Sequence, residues 1–103
     1  MALESSGKPV RMAFLLVPRF SMMAFAAAVE PLRAANRLSG SPLFQWQLVS
    51  ADGAPVTASN GISVATCRSL AELDKVDTII VCAGLEAPDV ERNIRIHHQL
   101  RRL

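Results

Sequence analysis

Two short runs, residues 12–17 (MAFLLV) and 78–82 (TIIVC), limit what this chain can fold into more than any other feature. Both are too brief for a helix, and neither alternates apolar with polar positions. Strands formed there need cover on both faces, the environment of a parallel sheet flanked by helices. Pro18 stops the first run, and Ala83 with Gly84 ends the second. The β-branched Thr78, Ile79, Ile80 and Val81 strengthen the second strand assignment.

Between these runs the punctuation is specific. Ser21 is placed to cap a helix starting at Met22, and Gly40 closes it, with Arg33 and Arg37 near the negative end of its dipole. Pro31 lies inside that helix, lacks a backbone donor and crowds the preceding turn, so a kink or break is expected near residues 27–30. Residues 22–29 are apolar all round, which reads as a buried helix start. Phe44, Trp46 and Leu48 alternate with Gln45 and Gln47 in a second strand. Asp52 and Gly53 turn the chain, and Asn60 with Gly61 offers the positive backbone angles of a tight hairpin between residues 56–58 and 62–67. Residues 70–73 suit a short helical turn. Pro88 and Asp89 open a last helix, with Ile96, Leu100 and Leu103 on one face.

Strand, helix, strand, flap, strand, helix is an α/β order. The expected fold is a parallel sheet with helices on both faces and a small β-hairpin flap. Residues 1–10 read as a disordered leader. The sequence ends at Leu103 inside a helix without its C-cap, and too few strands precede it for a doubly wound sheet. Residues 11–103 are therefore expected to be the N-terminal portion of a larger domain.

Composition excludes several classes. The longest apolar stretches reach about seven or eight residues, against roughly 20 for a membrane span. Half the residues are hydrophobic, too many for intrinsic disorder. Eleven basic against nine acidic residues leave +2, too little for a nucleic-acid-coating surface. The local excess at residues 92–103, with four Arg, two His and no acid, reads as a solvated helix face. Cys67 and Cys82 lack CxxC spacing and read as free thiols of a cytoplasmic protein; no signal peptide precedes them. The loop after the first strand has no glycine, which removes both common phosphate-cradling motifs.

In open α/β sheets, ligands sit beyond the carboxyl ends of the strands. Here those ends are Pro18, Arg19, Phe20 and Ser21, and then Ala83, Gly84, Leu85 and Glu86. Gly84 could admit a ligand to a backbone amide or serve as a turn residue. Cys82 would be a nucleophile only with a base beside it, and no His occurs before His97. His97 and His98 are adjacent, so they point about 100° apart on a helix and do not form a metal pair.

Phe20 and Ser21, followed by Glu30 and the run EPLRAANRLSG at residues 30–40, resemble the N-terminal domain of AraC-family transcriptional regulators. The sensor of that group has a class I glutamine-amidotransferase-like (PfpI/ThiJ-like) fold, so the resemblance implies a flavodoxin-like parallel sheet with helices on both faces. The likeness continues through VSADGAPVTASNGISV at residues 49–64 and DTIIVCAG at residues 77–84. It implies a small-molecule-sensing segment of a regulator of amino-acid or quaternary-amine catabolism, without cofactor or metal. It also implies a homodimer whose DNA contacts come from a C-terminal helix-turn-helix domain outside residues 1–103. Enzymes of the superfamily carry an acid at the position matching Ala24, where a methyl group can neither orient nor accept a proton. No catalytic residue is therefore expected, and Phe20, Ser21, Met22, Ala83, Gly84 and Leu85 are the candidate effector-binding residues. The competing reading is a PfpI/ThiJ-like hydrolase, hydratase or glyoxalase cut before its nucleophile.

Overall fold

The computed structural model describes residues 8–84. Strand β1 (Val10–Leu16) lies at the middle of a four-stranded parallel sheet. β2 (Phe44–Ser50) pairs with one side of it, and β6 (Thr78–Cys82) with the other. The two-residue β5 (Arg68–Ser69) adds to the outer side of β2, giving the order β5-β2-β1-β6. β3 (Val56–Thr57) and β4 (Ser63–Val64) form a separate antiparallel pair, the expected flap. The register places Phe14 beside both Leu48 and Ile80, and Leu16 beside Cys82.

Alternate residues of β1 feed two cores. Ala13, Leu15 and Val17 pack with Val49, Leu70 and Leu73, so the 3₁₀ turn Leu70–Glu72 and the segment after it cover that face. Phe14 and Leu16 pack with Phe20, Val56, Ala58 and Cys82 on the opposite face. Helix α1 (Met22–Ser39) lies there too, presenting Phe25, Val29 and Leu32. Phe25 meets Phe14 and Phe20 edge-on, with ring centroids 5.6 and 6.1 Å away. Such aromatic pairs add about 0.5–1.5 kcal/mol beyond their buried area.

The ends of α1 follow the sequence expectation. Ser21 Oγ accepts the Ala24 amide at 3.1 Å, and Gly40 takes φ 69° at the C-cap while its amide reaches the Asn36 and Arg37 carbonyls. The middle does not: α1 runs unbroken through Pro31. Pro31 and Ala27 both lie on the exposed side. The carbonyl that proline deprives of a donor can turn to water there, so the helix continues. The expected buried helix start is also corrected, since no residue of α1 is fully buried and Met23 is 82% exposed. An all-apolar run need not be buried all round; only its inner stripe is.

β6 is less covered than its composition suggested. It is the outermost strand on its side among the described residues, and Val81 is 47% exposed. In the flap, only Gly61 has positive φ (86°), and Asn60 does not. Ala58 and Ile62 pair around three loop residues, through Ala58 N–H to Ile62 O at 2.8 Å, and the Gly61 amide bonds the Ala58 carbonyl at 3.0 Å. This matches a type I turn plus glycine bulge, rather than the two-residue hairpin that Asn-Gly suggests. The helix expected from Pro88 lies outside the described residues.

Two reciprocal clamps fix the strand starts. The Asn36 side chain donates to the Phe44 carbonyl and accepts the Phe44 amide, both at 2.9 Å, tying α1 to β2. Asp77 accepts the Arg11 amide through Oδ2 and donates its own amide to the Arg11 carbonyl, both at 2.8 Å. The resemblance motif at residues 30–40 thus builds scaffold. Glu30 pairs with Arg33 at 2.9 Å, Asn36 clamps β2, and Gly40 ends the helix.

Candidate functional site

β1 sends its chain through α1 to one side of the sheet, while β6 arrives on the other, so the carboxyl ends of these two neighbours form the switch point where open α/β sheets bind ligands. Three successive residues organise this point. The Arg19 amide donates to the Thr57 carbonyl of the flap at 2.8 Å. The Phe20 carbonyl accepts the Ser59 amide at 2.9 Å. The Ser21 amide donates to the Ala83 carbonyl at 3.1 Å. Arg19 adopts φ 67°, alone among described non-glycine residues, a backbone region that costs on the order of 1–2 kcal/mol and persists only where surroundings enforce it.

On the flap side of this loop is an open cavity of about 360 Å³. Leu16, Pro18 and Arg19 wall it from the end of β1, Ser50, Ala51 and Asp52 from the end of β2, and Ala54, Pro55, Val56 and Thr57 from the flap. Ser50 is buried, and its hydroxyl donates to the Ala54 carbonyl at 2.9 Å. Thr66 Oγ1 donates to the Gly53 carbonyl at 3.0 Å, and Asp52 Oδ1 accepts the Ala54 amide at 3.0 Å. Gly53 needs its φ of 82°, and a Cβ there would stand 3.2 Å from the Ser69 amide nitrogen. The wall is therefore a pinned turn, with one guanidinium and one carboxylate among its residues.

The structure sorts the six candidate residues by position. Phe20 is fully buried beneath the loop, in the α1-side core. Ser21 is occupied as the helix cap, and Met22 packs against the same core. Ala83 is exposed, and its carbonyl holds the Ser21 amide. Gly84 lies against Arg19, because a Cβ there would overlap the Arg19 carbonyl oxygen. Close backbone packing therefore explains this glycine directly. Leu85 lies outside the described residues. The cavity shares Pro18 and Arg19 with the anticipated loop; Asp52 was read from sequence only as part of a turn, and neither Ser50 nor the supporting Thr66 was singled out. Their only signal was Asp52-Gly53, which marks a turn without revealing a buried hydroxyl beneath it.

Ala24 sits exposed in the first turn of α1, presenting a methyl group. Cys67 is exposed and Cys82 buried, neither in a disulfide, and burial pushes the Cys82 thiol upward, away from the thiolate. No helix among the described residues is long and apolar enough to cross a membrane.

No family model matches the chain. The HTH-type transcriptional regulator CdhR of Pseudomonas aeruginosa is 53% identical over 73 residues, covering 71% of this chain and 21% of that protein. The HTH-type transcriptional regulator GlxA of Rhizobium meliloti is 42% identical, covering 100% of this chain and 32% of its own length. The chain thus spans between about a fifth and a third of these curated relatives. Among solved structures, an AraC family transcriptional regulator from Pseudomonas putida matches with TM-score 0.73 and 34% identity, covering 91% of this chain and 51% of the other. A DJ-1 superfamily protein from Agrobacterium tumefaciens has the same fold, with TM-score 0.60 at 23% identity over 90% of this chain and 49% of its own.

Proposed function

Since the chain is homologous to HTH-type regulators of the AraC type and has the fold of the DJ-1 superfamily, we propose that it is a small-molecule-sensing segment of a bacterial transcriptional regulator. It performs no chemistry itself, and acts in the cytoplasm as part of a homodimer. The observation that carries this reading is the cavity at the carboxyl ends of β1 and β2, roofed by the flap. Its volume of about 360 Å³ suits a metabolite of modest size. Arg19 and Asp52 on its wall suit a ligand bearing both charges, such as an amino acid or a quaternary amine with a carboxylate. The effector rests against Pro18 and Arg19 of the loop, between the ends of β1 and β2 and the flap.

The absence of chemistry is supported by two features. Ala24 supplies no proton-transfer group at the position that the superfamily's enzymes fill with an acid, and the Cys82 thiol is buried and biased toward its neutral form. DNA contacts belong to a separate helix-turn-helix part, as the names of the relatives indicate for those proteins. The effector works by preferring one arrangement of the sensor over another, which is the only way a bound molecule biases a distant element.

A thermal-shift screen of the protein against arginine, ornithine, carnitine and glycine betaine tests the reading. A ligand at about 100 times its Kd adds roughly 2.7 kcal/mol of stability, which raises the melting point by many degrees in a domain of this size. The expected result is such a rise for at least one zwitterion, reduced by Asp52→Asn. Turnover of any screened compound, or a covalent intermediate on Cys67 or Cys82, would contradict it and favour the hydrolase-like reading.

A further inference from the structure

Arg19 and Asp52 line the cavity beneath the flap, but no aromatic residue is found among the described residues of its wall. The chain carries four Phe, one Trp and no Tyr. Phe14, Phe20 and Phe25 meet edge to face in the α1-side core, and Trp46 packs against the same core. Phe44 opens β2 while Ser50, a wall residue, ends it, so the two stand roughly 20 Å apart along the strand. All five rings are thus committed to packing or placed at the wrong end of the sheet.

The nitrogen end of a zwitterion is sensitive to that distribution. A fully methylated ammonium has no N–H and is recognised chiefly by the faces of aromatic rings around it. An ammonium that keeps its N–H groups needs an acceptor instead, and a carboxylate gives a charge-assisted bond roughly twice as strong as a neutral one. The turn after β2 provides one. Asp52 Oδ1 accepts the Ala54 amide at 3.0 Å, which fixes the carboxylate, and Oδ2 makes no hydrogen bond or ion pair among the described residues. The carbonyls nearby already hold donors: Ala54 the Ser50 hydroxyl at 2.9 Å, Gly53 that of Thr66 at 3.0 Å, and Thr57 the Arg19 amide at 2.8 Å.

We infer that the cavity selects zwitterions whose nitrogen retains N–H groups, amino acids rather than their fully methylated betaines, with Asp52 as the discriminating residue. The inference rests on the sensing role proposed for this cavity and narrows its ligand class. The ammonium donates to Asp52 Oδ2, the aliphatic part of the ligand runs along Pro18, Pro55 and Val56, and the carboxylate takes the guanidinium of Arg19. A trimethylammonium in the same place keeps a Coulomb attraction to Asp52, but its methyl groups hold the charge farther from the oxygen and leave the carboxylate without a donor.

Matched pairs change the nitrogen and nothing else: glycine, alanine, γ-aminobutyrate and 4-amino-3-hydroxybutyrate, each against its N-trimethyl counterpart. Isothermal titration calorimetry of the protein is expected to give a Kd at least about tenfold lower for the N–H member of any pair that binds. Asp52→Asn keeps an oxygen for the Ala54 amide but removes the charge. It is expected to weaken the N–H member at least about tenfold and to bring the two members within about threefold of each other. A trimethylated member that binds as tightly as its partner overturns the inference and leaves the sensing role standing. So does an Asp52→Asn protein that keeps the wild-type preference with unchanged circular dichroism. Absence of binding by every member of every pair overturns the inference as well, and the sensing role falls with it only where the wider thermal-shift screen is also negative.

Discussion

Replacing Gly84 by alanine is the sharpest test of how tightly the β1–α1 loop is held. A Cβ there would overlap the Arg19 carbonyl oxygen, with the carbonyl carbon at 3.3 Å and Phe20 Cα at 3.7 Å. All three are backbone atoms, so no side chain can rotate out of the way. Forcing a methyl into such a site costs typically about 1–3 kcal/mol. If the end of β6 yields instead, the 3.1 Å bond from the Ser21 amide to the Ala83 carbonyl is lost, at about 0.5–1.5 kcal/mol. Against this, alanine restricts the unfolded chain and returns about 0.4–1 kcal/mol. The net destabilisation centres on about 1.3 kcal/mol, which corresponds to a fall of roughly 5–10 °C in Tm for a domain of this size. Gly61→Ala is the control. It has φ 86° but nothing within 4 Å of a Cβ, so only the left-handed backbone penalty applies, about 1–2 kcal/mol less the same unfolded-state gain. Urea and thermal unfolding of both variants should therefore rank Gly84→Ala as the more damaging. A Gly84→Ala protein as stable as wild type would refute the idea that Arg19 is immobilised.

Other expectations concern the frame around the site. Asn36→Ala removes both hydrogen bonds to Phe44 and should cost about 1–3 kcal/mol in urea unfolding, whereas Asn36→Asp keeps only the acceptor half and should recover part of that loss. Glu72 is held below its ordinary value of 4.5 by hydrogen bonds from the Ser69 side chain and amide, with Arg68 contributing. Its stabilising effect is therefore fully present above pH 4.5 and is lost as pH falls through the lowered folded value. The stability gap between wild type and Glu72→Gln, followed by urea midpoints from about pH 7 down to about pH 3, should be constant at first and shrink in acid. A thiol reagent at neutral pH should label exposed Cys67 at once, and buried Cys82 only when the protein unfolds, as mass spectrometry after brief exposure would show.

The main strands and the helix were legible because each has a signal in its own residues. β1 and β6 are continuous apolar runs, Ser21 and Gly40 bracket α1, and Phe44, Trp46 and Leu48 alternate along β2. β5 was not legible, since Arg68–Ser69 is two polar residues long and exists only because β2 offers a free edge. Pro31 misled for a related reason: residue type records the missing donor but not which way the bereft carbonyl faces. Burial was misjudged on α1 and β6, where composition shows how apolar an element is and not which side has a partner. The cavity was hardest to foresee. Ser50 merely ends β2 and Asp52 sits in an ordinary turn; they become a wall, braced by Thr66, only when β2, the flap and the approach to β5 converge.

Three consecutive peptides, at Arg19, Phe20 and Ser21, hold the hairpin on one side and the tail of β6 on the other. They work as a yoke. A molecule wedged beneath the hairpin cannot lift it without tugging the far strand through the same short stretch, so the geometry converts occupancy on one flank into displacement on the opposite one.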